Sequence, residues 1–232
     1  MFSKNFGGRL GAAGMALCLT LSPVVSDAAG ADDHGRPEFL FGVRMGDKAV
    51  SILSQQGWYA CDNGTIRAAC FDEVTLYGRV GKFQIHMLNG KAYFAEFFPQ
   101  RSKGYWETLK AVRASGNGAP TVVELKTKNA NIDMIKAVHD LGSTEAGKRF
   151  SGYLADDNPS LWSISFVPLP RPLDAAFPDA AAYEDSLPAG TFEITVGTLM
   201  DVTYVRLYPT LASNIAAFPE YCHDNCKSWS QP

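Results

Sequence analysis

The sequence predicts an α+β fold: an antiparallel sheet, made of a meander over residues 73–98 and later hairpins, packed by three to four short helices. Three observations carry this expectation. Asn89-Gly90 joins two β-rich runs, and a two-residue type I′ turn needs positive φ at both central residues, so this dipeptide is a strong hairpin signal. Apolar residues alternate with polar ones in residues 74–98 and again in 202–208, the period of a strand with one buried face. Between these runs lie segments with helical spacing, including Tyr105, Trp106, Leu109 and Val112, and then Ile132, Ile135 and Val138.

Taken in order, the chain opens with Lys4 and Arg9, an uncharged run over 10–21, and small residues at Ser26 to Ala31, the pattern of a secretory leader over 1–28. Its apolar run is shorter than the ~20 residues needed to span a bilayer, and the expectation is that the chain is not an integral membrane protein. Cys18 follows Met15-Ala16-Leu17, where a lipoprotein signal wants a small residue. A run over 39–45 reads as a strand. A helix follows between Asp47 as its cap and Gly57 just past its end, with Ala49, Val50, Ile52 and Leu53 as its apolar face. The meander comes next. With the turn at Asn89-Gly90, strict pairing sets His86 against Tyr93, Ile85 against Phe94 and Gln84 against Ala95. Phe83, Ile85, Met87, Ala92, Phe94 and Phe98 then form one face with Val74, Leu76 and Val80, and Gly81 makes the bend, with Gly78 as a candidate bulge. Tyr77, Arg79, Gln84, His86, Tyr93 and Phe97 form the opposite face.

Residues 101–116 read as a helix capped by Ser102, and its apolar side is expected to lie partly over the face bearing Tyr93 and Phe97. Residues 121–124 fit strand or helix equally, and 131–141 read as a third helix. Strands are expected over 149–155 and 161–167. Five prolines between 168 and 188 predict an irregular crossing over 167–190 in which Phe177 and Tyr183 lie against the surface. Strands over 192–196 and 202–208 and a short helix over 211–218 complete the reading. The domain expectation is a unit over 36–118 and a second α+β half over 119–232, or one continuous domain over 36–232.

Composition bounds the function. Removing Lys4, Arg9 and Asp27 with the leader takes the net charge from −3 to −4, and no basic cluster longer than a pair occurs, so a nucleic-acid partner is not expected. Cys61, Cys70, Cys222 and Cys226 remain, an even number in an exported chain, and the local pairs Cys61–Cys70 and Cys222–Cys226 are favoured. A zinc site using His223 between the last two is the weaker reading. No G-x-S-x-G, H-E-x-x-H or S-x-x-K occurs. His86, beside Tyr93 and Arg79, is the catalytic candidate, while His139 in the last turn of a helix is explained by the helix dipole. His34 becomes a metal candidate if cleavage after Ala31 leaves a free amine two residues before it. No cofactor is implied.

The run 41–46, the following helix, Gly57-Trp58 and the meander resemble the strand–helix–meander modules of small bacterial envelope proteins, including β-lactamase-inhibitor-protein-like domains. The resemblance covers less than a third of the chain and carries no function. The resulting expectation is a periplasmic or secreted, non-catalytic binding or accessory protein. Its partner would be an unknown protein or small ligand of the cell envelope, met through Tyr77, Arg79, His86, Tyr93 and Phe97. Phe177 and Tyr183 are the second-choice surface. The alternative is an exported hydrolase with its site near His86.

Overall fold

The structure, a computed structural model, describes residues 35–61, 67–100, 104–115, 121–153, 161–168, 176–199 and 202–219. Residues 1–28, read from sequence as a leader, and His34, Ser102, Cys222, His223 and Cys226 lie outside the described residues. The elements in order are β1 (Glu38–Leu40), β2 (Val43–Arg44), α1 (Ala49–Leu53), β3 (Trp58–Ala60), β4 (Ala68–Leu76), β5 (Arg79–Leu88) and β6 (Lys91–Pro99). There follow α2 (Tyr105–Ala114), β7 (Thr121–Thr127), β8 (Asn131–Asp133), α3 (Met134–Leu141) and α4 (Ser143–Phe150). Last come β9 (Leu161–Val167), α5 (Ala180–Asp185), β10 (Phe192–Leu199), β11 (Val202–Pro209) and α6 (Leu211–Ala217).

Among the described residues nine strands form one antiparallel sheet in the order β3-β4-β5-β6-β11-β10-β9-β7-β8, and β1 pairs with β2. The fold is therefore α+β on an antiparallel sheet. β6 of the early meander pairs directly with β11 near the other end of the chain, Phe97 opposite Val205 and Ala95 opposite Leu207. Both halves thus supply strands to a single hydrogen-bonded ladder. Cys61 and Cys70 are disulfide-bonded, tying the end of β3 to β4. Among the described residues no helix is long and apolar enough to cross a membrane.

The Asn89-Gly90 turn forms as expected, with φ of 50° and 76°, and Leu88 pairs with Lys91 and Met87 with Ala92. The register beyond it does not follow strict pairing. A bulge leaves Tyr93 unpaired, so His86 opposes Phe94, Ile85 opposes Ala95, Gln84 opposes Glu96 and Phe83 opposes Phe97. One extra residue moves every later side chain of β6 to the other face. Ala95 and Phe97 enter the core, whereas Phe94 and Phe98 leave it. A second correction concerns the β4–β5 bend. It lies at Tyr77-Gly78, both with positive φ, and not at Gly81. Gly81 sits within β5, where an added Cβ would lie 2.3 Å from the Phe98 carbonyl oxygen. Unbroken alternation along β5 then puts Arg79 on the side of Gly81 and Phe83.

The apolar face carries the main core. Phe83, Ile85, Phe97, Val205, Val196, Ile164 and Phe166 pack there with Leu109 and Val112 of α2, Met134 and Val138 of α3, Ala146 and Phe150 of α4, and Phe39 and Met45 of the N-terminal segment. Helix α2 therefore covers this face, not the one bearing His86 and Tyr93. Of residues 149–155, expected as a strand, 149–150 end α4 and Ser151–Tyr153 form a 3-10 turn, because Ala146 and Phe150 bury at helical spacing, while 154–155 lie outside the described residues. Residues 131–133 are strand rather than helix; Asp133 ends β8 and caps α3 by accepting from the Lys136 amide at 2.8 Å.

The proline-rich crossing holds a regular element after all. Asp179 accepts from the Ala182 amide at 2.8 Å and starts α5. Tyr183 and Leu187 are buried against Val123, Val167 and Ile135, with Phe177 packed at the edge. Tyr183 is fully buried, which removes it as a partner surface. This small second core pins α5 over one end of the sheet's other face and is what shapes the site.

Candidate functional site

The face opposite the main core is polar because alternation along four neighbouring strands puts it there. β9 contributes Ser163 and Ser165, between Ile164 and Phe166 of the core. β10 contributes Glu193 and Thr195, and β11 contributes Tyr204, Arg206 and Tyr208. β7 adds Glu124 and Lys126. These residues floor a cleft of about 710 Å³. Ala180, Ala181, Glu184 and Asp185 of α5 wall one side, and Pro209, Thr210, Leu211 and Asn214 at the start of α6 wall another. Asn131, Asp133 and Tyr93 complete the rim.

The walls are held by specific bonds. Asp133 joins two helices: its Oδ1 takes the Lys136 amide of α3 and its Oδ2 takes the Ala180 amide of α5, at 2.8 and 2.9 Å. Across the cleft, Ser213 of α6 donates to the Thr191 carbonyl at 3.2 Å and accepts from the Gly190 amide at 3.0 Å. Gly197 has its own role in the floor. The Tyr204 ring lies across it, and a Cβ at that position would come within 2.3 Å of the Tyr204 hydroxyl.

Charge is unevenly spread. At one end Glu124, Asp133, Glu184, Asp185 and Glu193 gather, with Lys126 Nζ 3.5 Å from Glu124. Burial, and then the neighbouring Glu193, Glu124, Asp133 and Asp185, push the Glu184 carboxyl up to about 8. Glu193 is raised as well, first by burial and then by Glu124, against the lowering effect of hydrogen bonds from Ser165 and Thr195 and of Lys126. The floor hydroxyls are coupled, Ser165 Oγ lying 2.7 Å from Thr195 Oγ1.

The other end is cationic and aromatic. The Arg206 Nε donates to buried Glu96, whose second oxygen is 2.7 Å from His86 Nε2. Burial alone would raise Glu96; the bonds from His86 and Arg206 outweigh it and hold the carboxyl below its ordinary range. The His86 ring stacks on Phe94 at 4.1 Å, and Phe94 stacks on Tyr208 at 5.3 Å. Arg206 lies 4.4 Å over the Tyr204 ring. This row of rings and cations crosses β5, β6 and β11.

Of the residues named from sequence, the structure brings His86 and Tyr93 to this face. Tyr93 lines the cleft, and His86 stands behind it in the Glu96–Arg206 chain. Phe97 and Arg79 are on the core side, Arg79 beside Gly104 at the start of α2, and Tyr77 is in a turn. His139 is exposed at the end of α3, bonded to Asp140 at 2.9 Å. Among the described residues no group of three His, Cys, Asp or Glu side chains could hold a metal ion. The sequence reading missed Glu96, Glu184, Glu193, Arg206 and Asn214. For Glu193 and Arg206 the signal was the polar alternation along β10 and β11; Glu96, Glu184 and Asn214 carried none.

Fold and site together define an α+β protein with one packed sheet face and one polar, cleft-bearing face. Comparison with protein-family models, curated proteins and solved structures found no match. The resemblance of the run 41–46, the following helix, Gly57-Trp58 and the meander to envelope modules therefore stays a local strand–helix–meander pattern.

Proposed function

We propose that this is an exported binding protein of the periplasm or extracellular space, non-catalytic, whose small ligand occupies the cleft between α5, α6 and the polar sheet face. The observation that carries the reading is the cleft itself. Carboxyls, hydroxyls and aromatic rings from β7, β9, β10 and β11 converge on about 710 Å³ of open space, within the size range of small-ligand sites. Such a face, with its mutually repelling acids, costs folding stability that a second apolar layer would not. Functional sites tolerate that cost. The Cys61–Cys70 bridge supports export, since disulfides persist in oxidising compartments. Binding is favoured over hydrolysis near His86 because Nε2 is committed to Glu96 and Ser165 to Thr195, so neither makes a nucleophile–base pair with the other.

The test is a thermal-shift screen of the chain against small amines, sugars, amino acids and organic acids, beside Ala181→Trp. Ala181 is exposed on α5 and lines the cleft, so the indole fills the cleft without entering either core. Compounds that raise the melting temperature of the native chain and not of the variant establish the cleft as the site. Equal shifts in both, or none in either, refute it.

A further inference from the structure

Resting on that reading, we propose that the cleft binds a neutral oligosaccharide, one sugar ring packed against the tyrosines of β11 and the following rings extended along a row of polar groups that crosses the floor. The row follows from register. Arg206 stands opposite Thr195, Thr195 opposite Ser165 and Ser165 opposite Glu124, so four polar side chains line up across β11, β10, β9 and β7. With neighbouring strands ~4.8 Å apart, that row is roughly 14 Å long. Aromatic rings flank its β11 end on the same face. Two residues beyond Arg206, the Tyr208 ring stacks on Phe94, which stacks in turn on His86. Two residues before it, Tyr204 stands opposite Gly197, whose lack of a Cβ lets the ring lie across the floor, and Arg206 packs on that ring at 4.4 Å. Tyr93 adds a ring at the rim. All three tyrosines line the cleft and are partly exposed.

A sugar ring is amphipathic in the way this floor is. Its C–H faces match aromatic surface, and each hydroxyl on its rim donates once and accepts from either of two lone pairs. The floor spreads partners for both along its length. Arg206 is a donor, Glu124 is an acceptor, and Ser165 and Thr195, bonded to each other at 2.7 Å, keep further lone pairs. The fixed charges, meanwhile, pair off. Arg206 bonds Glu96, Lys126 lies 3.5 Å from Glu124, and Asp133 takes the amides of Lys136 and Ala180. Burial and its acidic neighbours keep the Glu184 carboxyl protonated up to about 8, and Glu193 is raised as well. Near neutral pH the floor therefore offers hydrogen bonds with little net charge. An ionic ligand would need a counter-charge that is already taken, whereas a neutral polyol needs only donors and acceptors.

Isothermal titration of the full chain with maltotetraose, cellotetraose and chitotetraose, each beside its own monosaccharide, tests this. The expected result is saturable binding of at least one tetrasaccharide, about tenfold or more tighter than its monosaccharide, because linked rings share one loss of translational freedom. That affinity should hold within about twofold between ~20 mM and ~500 mM sodium chloride, since a neutral ligand has no ionic contact to screen. Tyr208→Ala should weaken binding about tenfold, and Tyr208→Phe, which keeps the ring, by less than about threefold. Binding of chitotetraose alone identifies N-acetylated sugars, and binding of the other two identifies glucose polymers; either supports the proposal. A tetrasaccharide held no more tightly than its monosaccharide, binding lost at high salt, or full affinity in Tyr208→Ala overturns it. Should Tyr208→Ala not fold, the length and salt ratios of the native chain decide. If none of the three binds while other compounds still stabilise the native chain and not Ala181→Trp, the oligosaccharide assignment fails and the binding cleft stands. If no compound does, both fall.

Discussion

Phe97→Ala and Phe94→Ala form a pair that reads out the register of β6. Phe97 is 0% exposed, set between its strand partners Phe83 and Val205. Truncating such a ring removes its transfer energy and leaves a cavity, a loss of ~3–5 kcal/mol. Phe94 lies partly exposed on the polar face, and what it loses is stacking on His86 and Tyr208. At ~0.5–1.5 kcal/mol for each of these two ring contacts the cost is about 1–3 kcal/mol. Urea unfolding followed by far-ultraviolet circular dichroism separates the two. With an m-value of ~2 kcal/mol/M, the midpoint falls by about 1.5–2.5 M for Phe97→Ala and by about 0.5–1.5 M for Phe94→Ala, with m unchanged. Strict pairing from the Asn89-Gly90 turn assigns the residues the other way round. A larger loss for Phe94→Ala would therefore remove the Tyr93 bulge and the assignment of faces built on it.

Three further outcomes follow from the same geometry. Because the Glu184 carboxyl is raised from 4.5 to about 8 in the folded chain, its contribution to stability is complete below pH 4.5. It is lost as pH rises through 8, by on the order of 1–3 kcal/mol once solvent screening is allowed for. Glu184→Gln should flatten that alkaline decline in a series of melting curves, and an unchanged slope would remove Glu184 as its source. Glu96 acts in the opposite sense: its lowered carboxyl stabilises above the unfolded value of 4.5, and the benefit disappears as pH falls through the folded value. Glu96→Ala leaves His86 and Arg206 without their shared acceptor and should cost ~2–3 kcal/mol at pH 7, below the full penalty of a wholly buried pair because both partners are partly exposed; a loss under 0.5 kcal/mol contradicts the role given to this chain of bonds. Finally, a Cys61→Ser, Cys70→Ser double variant should lose ~2–3 kcal/mol and still fold, as chain entropy predicts for so short a loop; a fully unfolded variant would mean that the bridge organises the β3–β4 corner itself.

Much of the fold could be read from residues alone where period and turn chemistry agree. Asn89-Gly90 fixed its hairpin, and β9, β10 and β11 alternate cleanly between core and polar positions. The reading failed where the pattern was degenerate. Residues 91–98 are nearly all apolar or aromatic, so both registers bury a plausible face, and the bulge at Tyr93 leaves no mark in composition. Helix α4 buries little beyond Ala146 and Phe150, a stripe too thin to outweigh the aromatic residues that follow it. α5 is six residues inside a proline-rich stretch. The cleft was hidden for a different reason. Glu124, Glu184, Glu193 and Asn214 come from four elements with no common motif, and only the order β11-β10-β9-β7 brings them to one face.

The central claim, that the polar cleft is a ligand site, is tested most directly by titrating the isotope-labelled chain with a compound that raises its melting temperature and following backbone amide shifts by nuclear magnetic resonance. The account predicts saturating shifts at Ser165, Ala181, Glu184, Glu193, Thr195 and Asn214, which border the cleft, with Phe83 and Leu109 in the main core unmoved. Saturating shifts confined to surfaces away from these residues, such as those around exposed Phe41, Val50 or Trp162, would contradict it.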